Sequence, residues 1–143
     1  MTTRPTGNNP LTTQAQTFGR EERLTGRKDI SDLFLNGSRI PGRPLLLLYQ
    51  VGTEPGEGES CPVRMAVSVP KRLFRRAVDR NLLKRRIREA YRKNKTGLYD
   101  AVDRRGGSLR LMIQYRHTEI LDYERVESAV ISGLSKIAEV LSE

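Results

Sequence analysis

Cysteine and histidine are almost missing from this 143-residue chain: one Cys, one His and no Trp. A lone Cys61 closes no internal disulfide, and Cys61 with His117 is too small a set for a Cys/His zinc site, so the fold is expected to be reduced and metal-free. Long apolar runs are also absent. Nowhere do about 18 consecutive apolar residues occur, and positions 1–16 lack a secretory apolar core, which excludes a membrane span and a signal peptide and predicts a cytoplasmic protein. Acidic residues are scarce beside basic ones, 17 against 26. The excess is local. Positions 71–95 hold 12 basic and 2 acidic residues, a net +10, while the other 118 residues carry −1. A charge confined to one segment is the footprint of contact with a polyanion rather than of a uniformly solubilised surface.

The length suits one domain with a single core. Positions 1–17, rich in Thr, Asn, Gln and Pro, bury too little to offset their ordering entropy and read as a disordered tail. A single domain is expected over 18–143. Ile30, Leu33 and Phe34 fall on one helical face within residues 27–36, and Gly37 supplies a stop. "PLLLLYQV" (44–51) reads as a buried strand. "VRMAVSV" (63–69) alternates and reads as a second strand, joined to the first across the acidic loop 52–60 in a hairpin. Leu83, Ile87, Ala90 and Tyr91 form the apolar stripe of a helix over 77–94. "TGLYDAVDRRGGS" reads as a turn-rich connection, "LRLMIQY" (109–115) as a third strand, and 122–141 as a last helix with Val126, Val130, Leu134, Ile137 and Leu141 on one face. Helices covering one sheet make an α+β sandwich.

The basic helix 77–94 carries Arg80, Lys84 and Arg88 at i, i+4 spacing, with Asn81, Arg85 and Arg92 flanking them. Like charges at that spacing destabilise an isolated helix. A solvated face gains nothing from the cost, whereas a nucleic acid does, because each neutralised phosphate releases counterions. An anionic membrane surface is the competing partner. It needs bulky apolar residues free to insert, and this helix needs its own to cover a sheet. Phosphate contact alone does not separate RNA from DNA.

A resemblance does separate them. "SVPKRLFRRAVDRNLLKRRIREAYR" resembles the signature of the protein subunit of bacterial ribonuclease P, in Ala77, Val78, Arg80, Asn81, Lys84, Arg85, Arg88 and Glu89. "RLTGRKDISDLFLNG" and "PLLLLYQV" are similar to the segments that precede it in that family, so the likeness covers residue 18 to the C-terminus. Leu82 stands where the signature has its second Arg, and "LFRR" lacks a common Gly and is one residue longer.

The resemblance implies a two-layer αβββαβα sandwich with a left-handed βαβ crossover, as in a domain of a small-subunit ribosomal protein. It implies a non-catalytic protein subunit of an endoribonuclease whose partners are a catalytic RNA and precursor tRNA. Mg²⁺ is required by the ribonucleoprotein, and the protein itself carries no small-molecule cofactor. Lys71, Arg72, Arg76, Arg80, Asn81, Lys84, Arg85, Arg88 and Arg92 are the expected RNA-binding residues. Ile30, Phe34, Tyr49 and Ser68 are the expected walls of a cleft for the 5′ leader, where an aromatic face can stack on a base without reading it. No catalytic set emerges from Asp100, Asp103, His117 or Cys61. A ribosomal or other structural RNA-binding protein is the alternative.

Overall fold

The computed structural model describes residues 18–52 and 62–142. The readings of a disordered tail, of the acidic loop from residue 53 onward and of Cys61 fall outside these residues. A single 3₁₀ turn, Arg20–Glu22, leads to helix α1 (Arg27–Asn36), strands β1 (Ser38–Ile40), β2 (Leu45–Gly52) and β3 (Val63–Ser68), helices α2 (Ala77–Asn94) and α3 (Thr96–Arg105), strand β4 (Ser108–Tyr115) and helix α4 (Tyr123–Ser142).

The α+β class is as expected, and the helical periodicities hold. Leu83, Ile87, Ala90 and Tyr91 of α2 are buried, as are Val126, Val130, Leu134, Ile137 and Leu141 of α4. One expected connection is instead a helix. Residues 96–105 form α3, because Leu98, Tyr99, Ala101 and Val102 all bury on the core and outweigh Gly97. Gly106, at φ 80°, ends it with a backbone N–H to the Val102 carbonyl oxygen at 2.8 Å.

The expected hairpin between the second and third apolar segments is also corrected. The sheet order is β1-β2-β4-β3, with β4 antiparallel to β2 and parallel to β3. The cause is burial on both faces. β4 sets Leu109, Leu111, Ile113 and Tyr115 on one face and Met112 on the other, so it takes an interior position. β3 alternates Val63 and Met65 with the more polar Arg64 and Ser68, and it sits outside β4.

The main core lies between the sheet and α2, α3 and α4. A smaller core, Leu24, Leu33, Leu46, Leu48 and Met112, lies under α1 on the opposite face. Arg110 of β4 ties α1 down through Asp29 at 3.4 Å and Asp32 at 3.9 Å. The free side of β3 is covered by the N-terminal segment: Arg23 bridges Met65 in parallel, and the Leu24 N–H donates to the Met65 carbonyl oxygen at 3.0 Å. An exposed sheet edge is thereby capped, and a groove wall is built.

Candidate nucleic-acid interface

The basic helix begins with a loop that its own core residue pins. The Pro70 carbonyl oxygen accepts N–H groups from Leu73 and Phe74, and the buried Phe74 ring meets Tyr115 edge to face at 5.7 Å. Lys71, Arg72, Arg75 and Arg76 are left exposed around it. Arg76 stands at the N-cap of α2, only 3.9 Å from Asp79.

Within α2 the predicted cations divide. Asn81, Arg85 and Arg88 are exposed and Lys84 is half-buried. Arg80 turns back instead: its Nη1 donates to the Phe74 carbonyl oxygen at 2.9 Å and to that of Arg75 at 2.7 Å, clamping the loop before the helix. Arg92 forms a bidentate pair with Glu89 at 3.0 and 2.7 Å. That hydrogen bond holds the Glu89 carboxyl below the usual carboxylate range and raises the Arg92 guanidinium above its own. Repulsion along the stripe costs about 0.2–0.5 kcal/mol per i, i+4 pair. Burying Leu83 or Ile87 contributes about 1.5–3 kcal/mol each, so packing carries the helix and its outer charge is tolerated.

This face opens into a cavity of about 480 Å³ lined by Phe18, Arg23, Asn81, Arg85, Arg88, Glu89 and Arg92. A second cavity of about 290 Å³ adjoins it, between the start of α1 and the β3 side of the sheet. Phe18, Arg23, Leu24, Thr25, Ile30, Met65, Ala66, Val67, Arg88 and Met112 line it. Phe18, Arg23 and Arg88 belong to both. The Phe18 ring stands edge-on to Tyr91 at 5.6 Å, and the Arg23 guanidinium lies 5.6 Å above Phe18. Partial burial in this wall, and then the charge of Arg23, lower the pKa of Arg88.

Of the expected cleft residues, Ile30 lines the second cavity. Phe34 is half-buried on the same face of α1 and packs on the smaller core without lining it. Ser68 sits farther along β3, level with Gln114 and on the Ala66 side. Tyr49 is corrected: it pairs in register with Leu111, faces the main core and is 9% exposed. It therefore stands on the sheet face opposite Ile30 and Phe34. Alternation decides this, since Leu46 and Leu48 face α1 and Tyr49 must follow Leu45 and Leu47.

Phe18 and Arg23 were not expected in the groove. Their signal is faint: an alternation of Glu22, Arg23 and Leu24 in which the first and third bury and the second projects. Asp100 and Asp103 are exposed on α3, and His117 Nδ1 accepts the Glu119 backbone N–H at 3.0 Å. Among the described residues no group of three His, Cys, Asp or Glu side chains is arranged to hold a metal ion. Among them, too, no helix is long and apolar enough to cross a membrane.

Known proteins are similar to this chain. A sequence model of the family Ribonuclease P matches residues 18–138. The Ribonuclease P protein component of Porphyromonas gingivalis is 38% identical over 128 residues, covering 88% of this chain and 91% of that protein. That of Chlorobaculum tepidum is 42% identical over 83 residues, 58% of this chain and 54% of its own length. Among solved structures, the RNase P protein of Staphylococcus aureus superposes with a TM-score of 0.61 at 21% identity, covering 84% of this chain and 97% of that one. The Thermotoga maritima RNase P protein gives 0.61 at 22%, covering 80% and 96%. The structural likeness speaks for the fold, and the sequence match runs through both walls of the groove, from Phe18 past the basic helix into α4: the chain belongs to the ribonuclease P protein family.

Proposed function

We propose that this protein is the subunit of ribonuclease P that binds the enzyme's catalytic RNA and the 5′ leader of precursor tRNA, promoting removal of the leader in tRNA maturation. The observation that supports it most is the adjacency of two cavities. A basic cavity on α2 shares Phe18, Arg23 and Arg88 with a more apolar one lined by Ile30, Ala66 and Met112. A strand held by its phosphates in the first can lay bases into the second.

In this reading the exposed cations Lys71, Arg72, Arg76 and Arg85, with the half-buried Lys84, bind the catalytic RNA, while Arg88 and Ile30 face the leader. Arg80 holds the loop that presents Lys71 and Arg72. Mg²⁺ supplies the hydrolytic chemistry on the RNA, and the side chains of this chain bind, orient and neutralise phosphate. The ribonucleoprotein works in the cytoplasm.

The test is multiple-turnover cleavage of a 5′-labelled precursor tRNA at low Mg²⁺, using the catalytic RNA of the same organism. Leader release is expected only when protein and RNA are both present. Tight, salt-dependent RNA binding without stimulation would instead favour a structural RNA-binding protein.

A further inference from the structure

Glu22, Arg23 and Leu24 alternate in, out, in. Glu22 is 1% exposed and held by Lys95 and Tyr99; Leu24 is 3% exposed and lies in the core under α1. The backbone between them is fixed as well, because the Arg23 carbonyl oxygen accepts Arg64 Nη2 at 3.2 Å and the Leu24 N–H is bonded to Met65. Arg23 can only project outward, into the junction of the two cavities, where Arg88 arrives from α2.

Neither guanidinium has an acidic partner among the described residues; the acid in that wall, Glu89, is taken by Arg92 and Lys93. Two unpaired guanidiniums in one cleft repel each other; the pKa of Arg88 is lowered first by its partial burial and then by the charge of Arg23. An anion between them relieves that repulsion. A phosphodiester suits it in charge and in the fork geometry of arginine. The Phe18 ring lies under Arg23.

We propose that Arg23 and Arg88 form a two-arginine clamp for a single phosphodiester of the leader strand, at the point where that strand passes from the basic helix into the cleft under α1. The clamp rests on the functional reading above. It adds Arg23, contributed by the N-terminal segment, to a site otherwise built from α2 and the sheet.

The first test needs only the protein. Binding of a labelled single-stranded oligoribonucleotide of about ten nucleotides is measured against salt. For Arg23→Ala the affinity is expected to fall about tenfold, and the magnitude of the salt slope by about 0.7 for the phosphate lost. Arg23→Lys should restore the slope and only part of the affinity, because it keeps the charge and loses the fork. Since both arginines hold one phosphate, Arg23→Ala in an Arg88→Ala background should add little. An unchanged slope for Arg23→Ala, or full additivity of the two substitutions, overturns the clamp.

The second test uses the reconstituted ribonucleoprotein and precursors carrying one neutral methylphosphonate linkage at successive leader positions. One position should weaken wild-type binding and be silent in Arg23→Ala, with mature tRNA unaffected by either change. Equal loss for mature and precursor tRNA overturns the assignment to the leader. If the wild-type ribonucleoprotein shows no preference for a leader, the functional reading fails, and the oligonucleotide slope still decides whether the clamp exists.

Discussion

Glu22 and Lys95, 73 residues apart in the chain, form an ion pair inside the core. Tyr99 OH donates to the same Glu22 oxygen, and the other carboxylate oxygen, Oε2, accepts the Gly19 N–H at 2.8 Å. The pair joins the N-terminal segment to the junction of α2 and α3. It thereby sets where Phe18 and Arg23 meet the basic helix.

Removing one partner strands a buried charge. Lys95→Met or Glu22→Leu alone should each lower stability by about 3–5 kcal/mol, whereas the double change Glu22→Leu, Lys95→Met should recover most of that loss. Urea denaturation of the four proteins checks it. A double variant as unstable as the sum of the singles would mean that the pair is not coupled.

Arg80 and Arg85 are both basic residues of α2, yet their environments assign them different roles. Arg80→Ala removes two charge-assisted bonds to loop carbonyls and should cost about 1–2 kcal/mol of stability. Arg85 is exposed in the groove, so Arg85→Ala should stay within about 0.5 kcal/mol in stability. Its effect belongs to binding, where the slope against salt for the catalytic RNA should fall by about 0.9. Thermal melts and salt titrations on the two variants separate the roles; the same pattern in both would erase the distinction.

Tyr49 is a core residue on the face away from α1. Tyr49→Ala should destabilise the fold by about 3–5 kcal/mol, as for other large aromatic truncations, and Tyr49→Phe should cost under about 1.5 kcal/mol. Precursor and mature tRNA should bind Tyr49→Phe as they bind wild type. A selective loss of leader affinity in that variant would put the hydroxyl back in the cleft.

Gly37 lets α1 end tightly against β2. A Cβ there would lie 2.5 Å from the Leu33 carbonyl oxygen and 3.1 Å from that of Tyr49, both backbone atoms with little freedom to yield. Gly37→Ala should therefore cost about 1–3 kcal/mol by overcrowding. A denaturation midpoint equal to wild type would show that the helix end shifts without strain.

How far the sequence discloses these arrangements depends on whether the signal is local. The stripes of α2 and α4 repeat every three or four residues and are readable directly. "LLLLY" is apolar at every position, so it announces a strand but hides which side chains share a face, and Tyr49 is misplaced for that reason. Strand order has no local signal, so nothing in β2 and β3 reveals that β4 will part them. Gly97, Gly106 and Gly107 advertise turns, and only the core under Leu98, Tyr99 and Val102 makes α3 a helix. The charge of α2 is legible, but the carbonyls that engage Arg80 exist only once the loop folds back.

Glu89 is the acid lining the basic cavity, and its carboxyl restrains Arg92. With its pKa lowered chiefly by that hydrogen bond, Glu89 stays ionised down through the ordinary carboxylate range, and the pair's contribution to stability is lost only as pH falls through its depressed folded value. Arg92→Ala should therefore move the Glu89 titration upward, as seen by carboxyl NMR. Glu89→Gln should release Arg92 to the groove at a small cost in helix stability. RNA binding should then tighten and its salt slope steepen by up to about one contact. If Glu89→Gln leaves both affinity and slope unchanged, Arg92 does not face the RNA, and the binding surface of α2 ends at Arg88.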